Sequence, residues 1–305
     1  MITVIIPLYN KAASIGHTLQ SVFDQTFQEF EIVVVDDGST DNGADVVRSV
    51  ADSRVRLISQ TNAGVSAARN RGIAEARGEF VAFLDADDEW KPTYLETQFA
   101  LTRKYPDCDV FATSYEIRNG GSSQPAIIRH LPFTTDDGIM TNYFEVASNS
   151  HPPLWTSAVM VRRTAIQSIG GFPVGIRSGE DLLTWARLAV KYRISYTKQP
   201  LAIFINDRTF FNNDQKTREP ESFDFVGQEL AALYQTHHDI QNLNTYNALW
   251  HKMRARIFLD KGQKKAARNE CIKAIQQQIT LRSIMLFLLT FVPFKLSQYI
   301  LNSFT

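Results

Sequence analysis

The sequence predicts an α/β protein: a Rossmann-like domain with a mainly parallel central sheet, followed by a C-terminal α-helical region. Three observations carry that expectation. Through the first hundred residues, short apolar runs rich in β-branched side chains alternate with stretches of helical spacing, the pattern of βαβ units. The ends of those runs collect acidic residues and glycine, as loops at the carboxyl edge of a parallel sheet do. From about Phe223 the apolar period becomes helical and stays so.

Taken in order, residues 2–8 (ITVIIPL) read as a buried strand ending at Pro7, and 14–23 as a helix with Ile15, Leu19 and Val22 on one face. Residues 31–35 (EIVVV) form a second strand, stopped by Asp36-Asp37-Gly38-Ser39. A helix over 41–51, a strand over 55–58, an Ala-rich helix over 65–76 and a strand over 80–84 complete the regular part. Beyond residue 105 the order blurs. Residues 110–117 and 154–161 are strand candidates, 120–137 look loop-like, and a short helix runs to Ile169 before a Gly170-Gly171 break and a helix opening near Glu180. Residues 206–222 are polar without a clean period, a lid or a linker. The expected division is 1–222 for the sheet domain and 223–305 for the helices. Within the latter, 250–274 resembles one helix-turn-helix unit of the tetratricopeptide kind, turning at Gly262, without a second copy.

A chain of 305 residues has room for one large domain or for a domain of about 200 residues with an appendage. With 44% hydrophobic and 21% charged residues, wholesale disorder is excluded. The formal net charge of zero hides an asymmetry: from Trp250 onward ten Lys and Arg face two acidic residues, a net of +8, which leaves −8 on the rest. A basic tail beside apolar segments points to an anionic surface such as a membrane, with a solvated helical face as the alternative. Cys108 and Cys271 are the only cysteines and have neither disulfide nor zinc spacing, which fits a reducing compartment. The first residues enter an apolar strand directly, so no standard secretory signal is expected. The apolar run 284–294 is about half the roughly 20 residues of a spanning helix. The six histidines have no metal-like spacing and are assigned no role, and no nucleic-acid partner is expected.

The densest chemical signal is Asp85-Ala86-Asp87-Asp88, directly after the fourth strand. Packed carboxylates repel one another unless a cation neutralises them, and hard oxygen ligands suit Mn²⁺ or Mg²⁺, an ion able to bridge a diphosphate. A solvated turn with capping aspartates is the alternative. At the end of the second strand, Asp36 and Asp37 suit a base N–H or a ribose hydroxyl, and Gly38 permits close backbone approach, although Ser39 or Asp41 as a helix cap explains part of the pattern. Tyr9, at the first strand end, offers a ring for base stacking or for packing.

Pro7-Leu8-Tyr9-Asn10, Val34 to Asp41 (VVDDGSTD), Asn62 to Asn70 (NAGVSAARN) and Phe83 to Asp88 (FLDADD) together resemble the ordered motif set of the family-2 inverting glycosyltransferases with the GT-A fold. A fifth segment, Gly179-Glu180-Asp181 followed by Arg187-Leu188, is similar to that family's catalytic-base segment. The resemblance covers about residues 1–200. It implies that Pro7, Tyr9 and Asp37 contact the nucleobase with Asp36 nearby, that Arg69 faces the donor near its phosphates, and that Asp85, followed by Ala86, lies against the ribose or the metal shell. It implies Asp87 as metal ligand, with Asp88 as a second candidate, and Asp181 as general base. The implied substrates are a nucleoside-diphosphate sugar, UDP by family habit, and a glycan or lipid-linked acceptor.

Inversion by single displacement needs one base on the acceptor side, a role the resemblance implies for Asp181, with helix capping as the alternative because a carboxylate in a helix's first turn is favoured by the helix dipole. Glu180, Trp155 and Trp185 are acceptor-side candidates, although tryptophans in such positions are more often core residues. In the tail, Lys264, Lys265, Arg268 and Lys273 would meet anionic headgroups while Ile284, Leu286, Phe287, Leu288, Phe291 and Phe294 enter lipid; otherwise these helices cap the domain or form a dimer face. The expected setting is cytoplasmic, peripheral at the inner face of the membrane. A catalytically silent nucleotide-sugar-binding protein with a partner-recruiting tail is the alternative, and nucleotidyl transfer a weaker one, because Tyr9-Asn10-Lys11 is no Gly-rich phosphate loop.

Overall fold

The computed structural model describes residues 1–206 and 220–303, so most of the expected lid or linker lies outside the described residues. The described chain falls into two compact units, 1–175 with 180–206 and 176–179 with 220–303.

In the first unit, β1 (Ile2–Leu8), α1 (Ile15–Phe23), β2 (Phe30–Asp36), α2 (Gly43–Arg48), β3 (Val55–Ser59), α3 (Val65–Glu75) and β4 (Phe80–Phe83) follow the expected alternation. β1 lies between β2 and β4, and β3 flanks β2, all parallel. β2 is buried at every position and β1 at all but one, as strands covered on both faces must be. Then come β5 (Glu89–Trp90), α4 (Tyr94–Lys104), β6 (Val110–Asn119), β7 (Ser122–Pro125), β8 (Asp137–Ile139) and α5 (Tyr143–Asn149). A 3₁₀ turn (Thr156–Ala158) leads into β9 (Val159–Arg162), α6 (Arg163–Ser168), α7 (Glu180–Ala189) and β10 (Ile194–Ile205).

The sheet order is β3-β2-β1-β4-β9-β6-β10-β5, with β7 on β6 and β8 on β10. It is mixed: β9 runs antiparallel between β4 and β6, and β10 returns parallel to β6. Three features depart from the sequence reading. The strand candidate 154–161 divides into the 3₁₀ turn and β9. The loop-like 120–137 contains β7, a wholly exposed strand with no apolar pattern to reveal it. β10 was not foreseen, because Lys198-Gln199-Pro200 interrupts its apolar run and shifts its register against β6.

The second unit holds α8 (Phe225–Thr236), α9 (Leu243–Asp260), α10 (Lys264–Gln277), α11 (Leu281–Leu289) and α12 (Phe294–Ser303). α9 and α10 pair across the turn at Gly262, whose φ of 72° is the left-handed conformation that glycine tolerates. Ala255, Leu259, Ala267, Cys271, Leu286 and Leu289 form a core of their own. Among the described residues no helix is long and apolar enough to cross a membrane.

The seat of α3 on β1 leaves no room for a side chain at Gly72, where a Cβ would stand 2.4 Å from Ile5 Cγ2. Gly72→Ala is therefore expected to lower stability by about 1–3 kcal/mol through overpacking. An unclashed alanine in a helix would instead raise it by about 1 kcal/mol. The direction of the change in melting temperature decides between the two.

Candidate active site

The loops after β1, β2 and β4 meet at one edge of the sheet, and side-chain hydrogen bonds fix each to its neighbours. After β1, Asn10 adopts a left-handed φ of 52°, and its Oδ1 accepts from the Thr40 backbone N–H at 2.8 Å, joining the β1 loop to the β2 loop. Asp36 Oδ1 accepts from the Ser39 N–H at 3.0 Å and closes the turn. Asp37 is buried, with Oδ1 accepting from Gln60 Nε2 at 2.7 Å and from the Ala63 N–H at 2.9 Å, and Oδ2 from the Gly64 N–H at 2.8 Å. Asp37 thus shapes the loop ahead of α3 and retains an acceptor position on Oδ2.

The Asp85–Asp88 turn is the most heavily tethered part of the site. Asp88 is buried, and its Oδ2 accepts from Ser157 Oγ at 2.5 Å and from Trp155 Nε1 at 3.3 Å, while Oδ1 accepts from the Ile205 N–H at 3.1 Å. Burial, then the negative charges of Asp85 and Asp87, push its pKa well above the ordinary aspartate value. Ser157 Oγ also accepts from the Asp85 N–H at 3.1 Å, so one hydroxyl holds both ends of the turn. From the other side, Ser14 Oγ donates to the Ala86 carbonyl at 2.8 Å and Thr18 Oγ1 to the Asp88 carbonyl at 2.9 Å.

Asp85 and Asp87 keep partly exposed side chains. Each meets a cation: Lys11 Nζ lies 2.5 Å from Asp87 Oδ2, and Arg69 Nη2 lies 2.8 Å from Asp85 Oδ1. Arg69 is itself buried, with its guanidinium carbon 5.1 Å from the centre of the Phe172 ring and Nη1 3.6 Å from Glu180 Oε1. Burial works against its charge, but Asp85, Glu180 and Asp181 outweigh it and hold the group protonated. Asp181, at the start of α7 and half-buried, accepts from the Leu182 N–H at 2.7 Å. Burial raises its pKa above the ordinary value, with the Leu182 N–H and Arg69 pulling down and Asp85 pushing up.

Of the sequence-predicted residues, Pro7, Tyr9, Asp36, Asp37, Arg69, Asp85, Ala86, Asp87, Asp88, Glu180 and Asp181 all belong to this edge. Tyr9 is 47% exposed, an accessible ring at the end of β1. One expectation needs correction. Trp185 is 2% exposed and packed against Phe83 and Phe172, so its ring is a core ring and offers no surface to an acceptor. Arg69 meets the carboxylates from the buried side. Trp155 is half-buried between Tyr115 and Phe204. The sequence reading also missed Ser157, Lys11 and Asn70. Asn70 pins both backbone groups of Phe172, donating to its carbonyl at 2.7 Å and accepting from its N–H at 2.8 Å. The available signal for Ser157 was a small polar residue inside an apolar run.

The donor set suits a hard divalent cation. Asp85 and Asp87 are accessible carboxylates drawing positive charge toward them, whereas all the geometry of Asp88 points inward. Among the described residues one further cluster has the composition of a metal site, Asp224, His251 and Glu270 in the second unit. There Arg254 Nε lies 3.4 Å and Lys273 Nζ 3.3 Å from the Glu270 carboxylate, and Trp250 Nε1 donates to Asp224 at 2.9 Å, so the cluster is already neutralised by protein groups. Ser157→Ala should lower stability by about 1–3 kcal/mol, the usual cost of removing a donor from a buried charge. Denaturant titration checks it; an unchanged midpoint would mean that the Asp88 tether carries no weight.

The sequence model of glycosyl transferase family 2 matches residues 3–170, which include the β1, β2 and β4 loops. Over 208 residues the chain is 45% identical to the uncharacterized glycosyltransferase YibD of Escherichia coli (strain K12), covering 66% of this chain and 60% of that protein. It thus spans less than two thirds of that relative's length. It is 32% identical over 203 residues to the putative teichuronic acid biosynthesis glycosyltransferase TuaG of Bacillus subtilis (strain 168), covering 64% of this chain and 75% of that protein. Among solved structures, residues 1–349 of S. aureus TarS in complex with UDP-GlcNAc match with a TM-score of 0.67 at 20% identity, over 90% of this chain and 81% of the other. The mannosyltransferase PcManGT from Pyrobaculum calidifontis, in complex with GDP-Man and Mn²⁺, matches with a TM-score of 0.55 at 20% identity, over 93% and 77%. At such identities the likeness to the solved structures is one of fold, and it is the family match over more than half the sequence that assigns the protein: this chain belongs to glycosyl transferase family 2.

Proposed function

We propose that the protein is a metal-dependent inverting glycosyltransferase that moves a sugar from a nucleoside-diphosphate donor, a UDP-sugar first, to an acceptor hydroxyl in the synthesis of a surface polysaccharide or similar glycan. The observation that carries this reading is the pairing at one sheet edge of two cation-seeking carboxylates, Asp85 and Asp87, with Asp181, a carboxylate of raised proton affinity. The UDP-GlcNAc bound by TarS and the teichuronic acid assignment of TuaG support the donor and acceptor classes.

On this reading Tyr9 stacks on the base, Pro7 and Asp36 line its seat, and Asp37 offers its remaining acceptor position to a base N–H. Asp87, with Asp85, would hold Mn²⁺ or Mg²⁺. The ion's chemistry is to stabilise the negative charge of the departing diphosphate. Asp181 takes the acceptor's hydroxyl proton as that oxygen bonds to the anomeric carbon. The bond from that carbon to the diphosphate oxygen breaks, the electron pair leaves with the nucleotide, and the configuration inverts. Glu180 balances the buried charge of Arg69 beside the base. We place the reaction in the cytoplasm, where the two buried cysteines stay unbridged, at the inner face of the membrane that carries a lipid-linked acceptor.

Nucleotide release from a panel of nucleotide sugars, with and without Mn²⁺, tests the proposal. Asp181→Asn should cut kcat by about 10²- to 10⁴-fold, the usual contribution of general base catalysis, while donor binding persists; full turnover in that variant would remove Asp181 from the mechanism. Asp87→Asn should weaken Mn²⁺-dependent donor binding by at least about tenfold with the fold intact, since its side chain is partly exposed. For pH, a raised base pKa means that the acid limb of kcat/KM falls away above the ordinary aspartate range of about 3.9. Activity is retained above that limb and lost below it, and a limb at or under the ordinary value would contradict the burial of the base.

A further inference from the structure

We infer that the exposed apolar face of α11 is a docking surface for an anionic lipid bilayer. Leu281, Ile284, Leu288 and Phe291 recur at spacings of three, four and three, which places them on one side of the helix and its last turn. They are 88, 40, 57 and 59% exposed. The opposite side, Ser283, Leu286 and Leu289, is buried and seals the core of the second unit, so the outer face is left over after folding. Phe294, Leu296 and Tyr299 of α12 add further exposed apolar area. A run of large apolar side chains of this extent on a soluble surface marks an interaction site.

Charge selects the occupant. Asp260 and Glu270 are the only acidic residues from Trp250 to the end, and both are used internally. Arg256 Nε lies 3.1 Å from Asp260, and Glu270 is buried against His251, Arg254 and Lys273. Arg282, Lys265 and Lys295 are exposed with no acidic neighbour in this stretch to offset them. Arg268 lies 4.0 Å over the Phe291 ring, holding a cation at the border of the apolar face. Burial and the nearby charge of Arg282 push the Lys252 pKa down, a sign of positive charge crowding on this side. A second copy of the chain would bring the same excess of positive charge to the contact, whereas anionic headgroups neutralise it and the acyl boundary covers the leucines. The structure also redraws the lipid-facing set read from the sequence: Leu286 is core, Phe287 is half-buried with its ring against Phe291, and Lys273 is turned toward Glu270.

The test is flotation of the full chain, without nucleotide, with phosphatidylcholine vesicles containing or lacking phosphatidylglycerol, so that its outcome is independent of sugar transfer. The chain should float with the anionic vesicles, and less so as salt rises. Leu281→Glu with Leu288→Glu should reduce binding more than about tenfold, because apolar insertion is lost. Arg282→Glu with Lys295→Glu should reduce binding to anionic vesicles only. All four side chains are exposed, so an unchanged melting temperature verifies that the fold survives. The proposal is overturned if the chain fails to float with phosphatidylglycerol, if the leucine substitutions leave binding unchanged, or if they instead dissolve a dimer formed without lipid.

Discussion

Three carboxylates within four residues, at the end of a buried strand, set the terms for the rest of the first unit. Asp85, Asp87 and Asp88 repel one another, and each escapes by a different route: Asp85 to a buried guanidinium, Asp87 to a surface ammonium, Asp88 to three neutral donors from two separate places in the chain. The division of labour follows from solvent access. Asp88 is sealed in, where an unmatched charge is most costly, and so takes fixed hydrogen bonds and an elevated pKa. Asp85 and Asp87 stay partly wet and exchangeable. A turn whose inner member is rigid and whose outer members are open is what a reversible cation site requires.

That asymmetry explains how much of the molecule was legible beforehand. The strands β1, β2 and β4 were readable because parallel strands buried on both faces must be written as apolar runs, and the polar ends of these strands could be placed on one edge by topology alone. The carboxylates were found because acidic clusters stand out. Their partners were not, because Ser157, Ser14 and Thr18 are ordinary residues whose meaning lies in long-range geometry, 69 to 72 positions from the groups they bind. β10 was invisible for a related reason. A strand interrupted by Lys198-Gln199-Pro200 matches no local period, although it supplies the N–H that caps Asp88. Trp185 shows the converse failure: its ring suggested a sugar-stacking surface, while it is packed into the core against Phe83 and Phe172.

The second unit solves the same problem with the opposite result. Asp224 and Glu270 are also buried, but His251, Arg254 and Lys273 come with them, so the network is already charge-paired and leaves little for an external ion to do. One consequence reaches the surface. By drawing Asp260 and Glu270 of the tail into pairs, the unit leaves Lys265, Arg282 and Lys295 exposed on helices that also carry an apolar face, and the sequence's charge asymmetry becomes a spatial one.

Within the site, Arg69 is the single group that touches both halves of the proposed chemistry. Its guanidinium pairs with Asp85 at the end of β4 and with Glu180 at the start of α7, and its charge draws the Asp181 pKa down while Asp85 pushes it up. Asp85 and Asp181 are therefore not independent carboxylates. Whatever neutralises Asp85 weakens the upward push on Asp181, and whatever competes for Arg69 strengthens it. Asp85 acts on Asp181 directly and also pairs with Arg69, which is packed over Phe172, itself pinned by Asn70, so the two carboxylates and the buried guanidinium form one electrostatic unit.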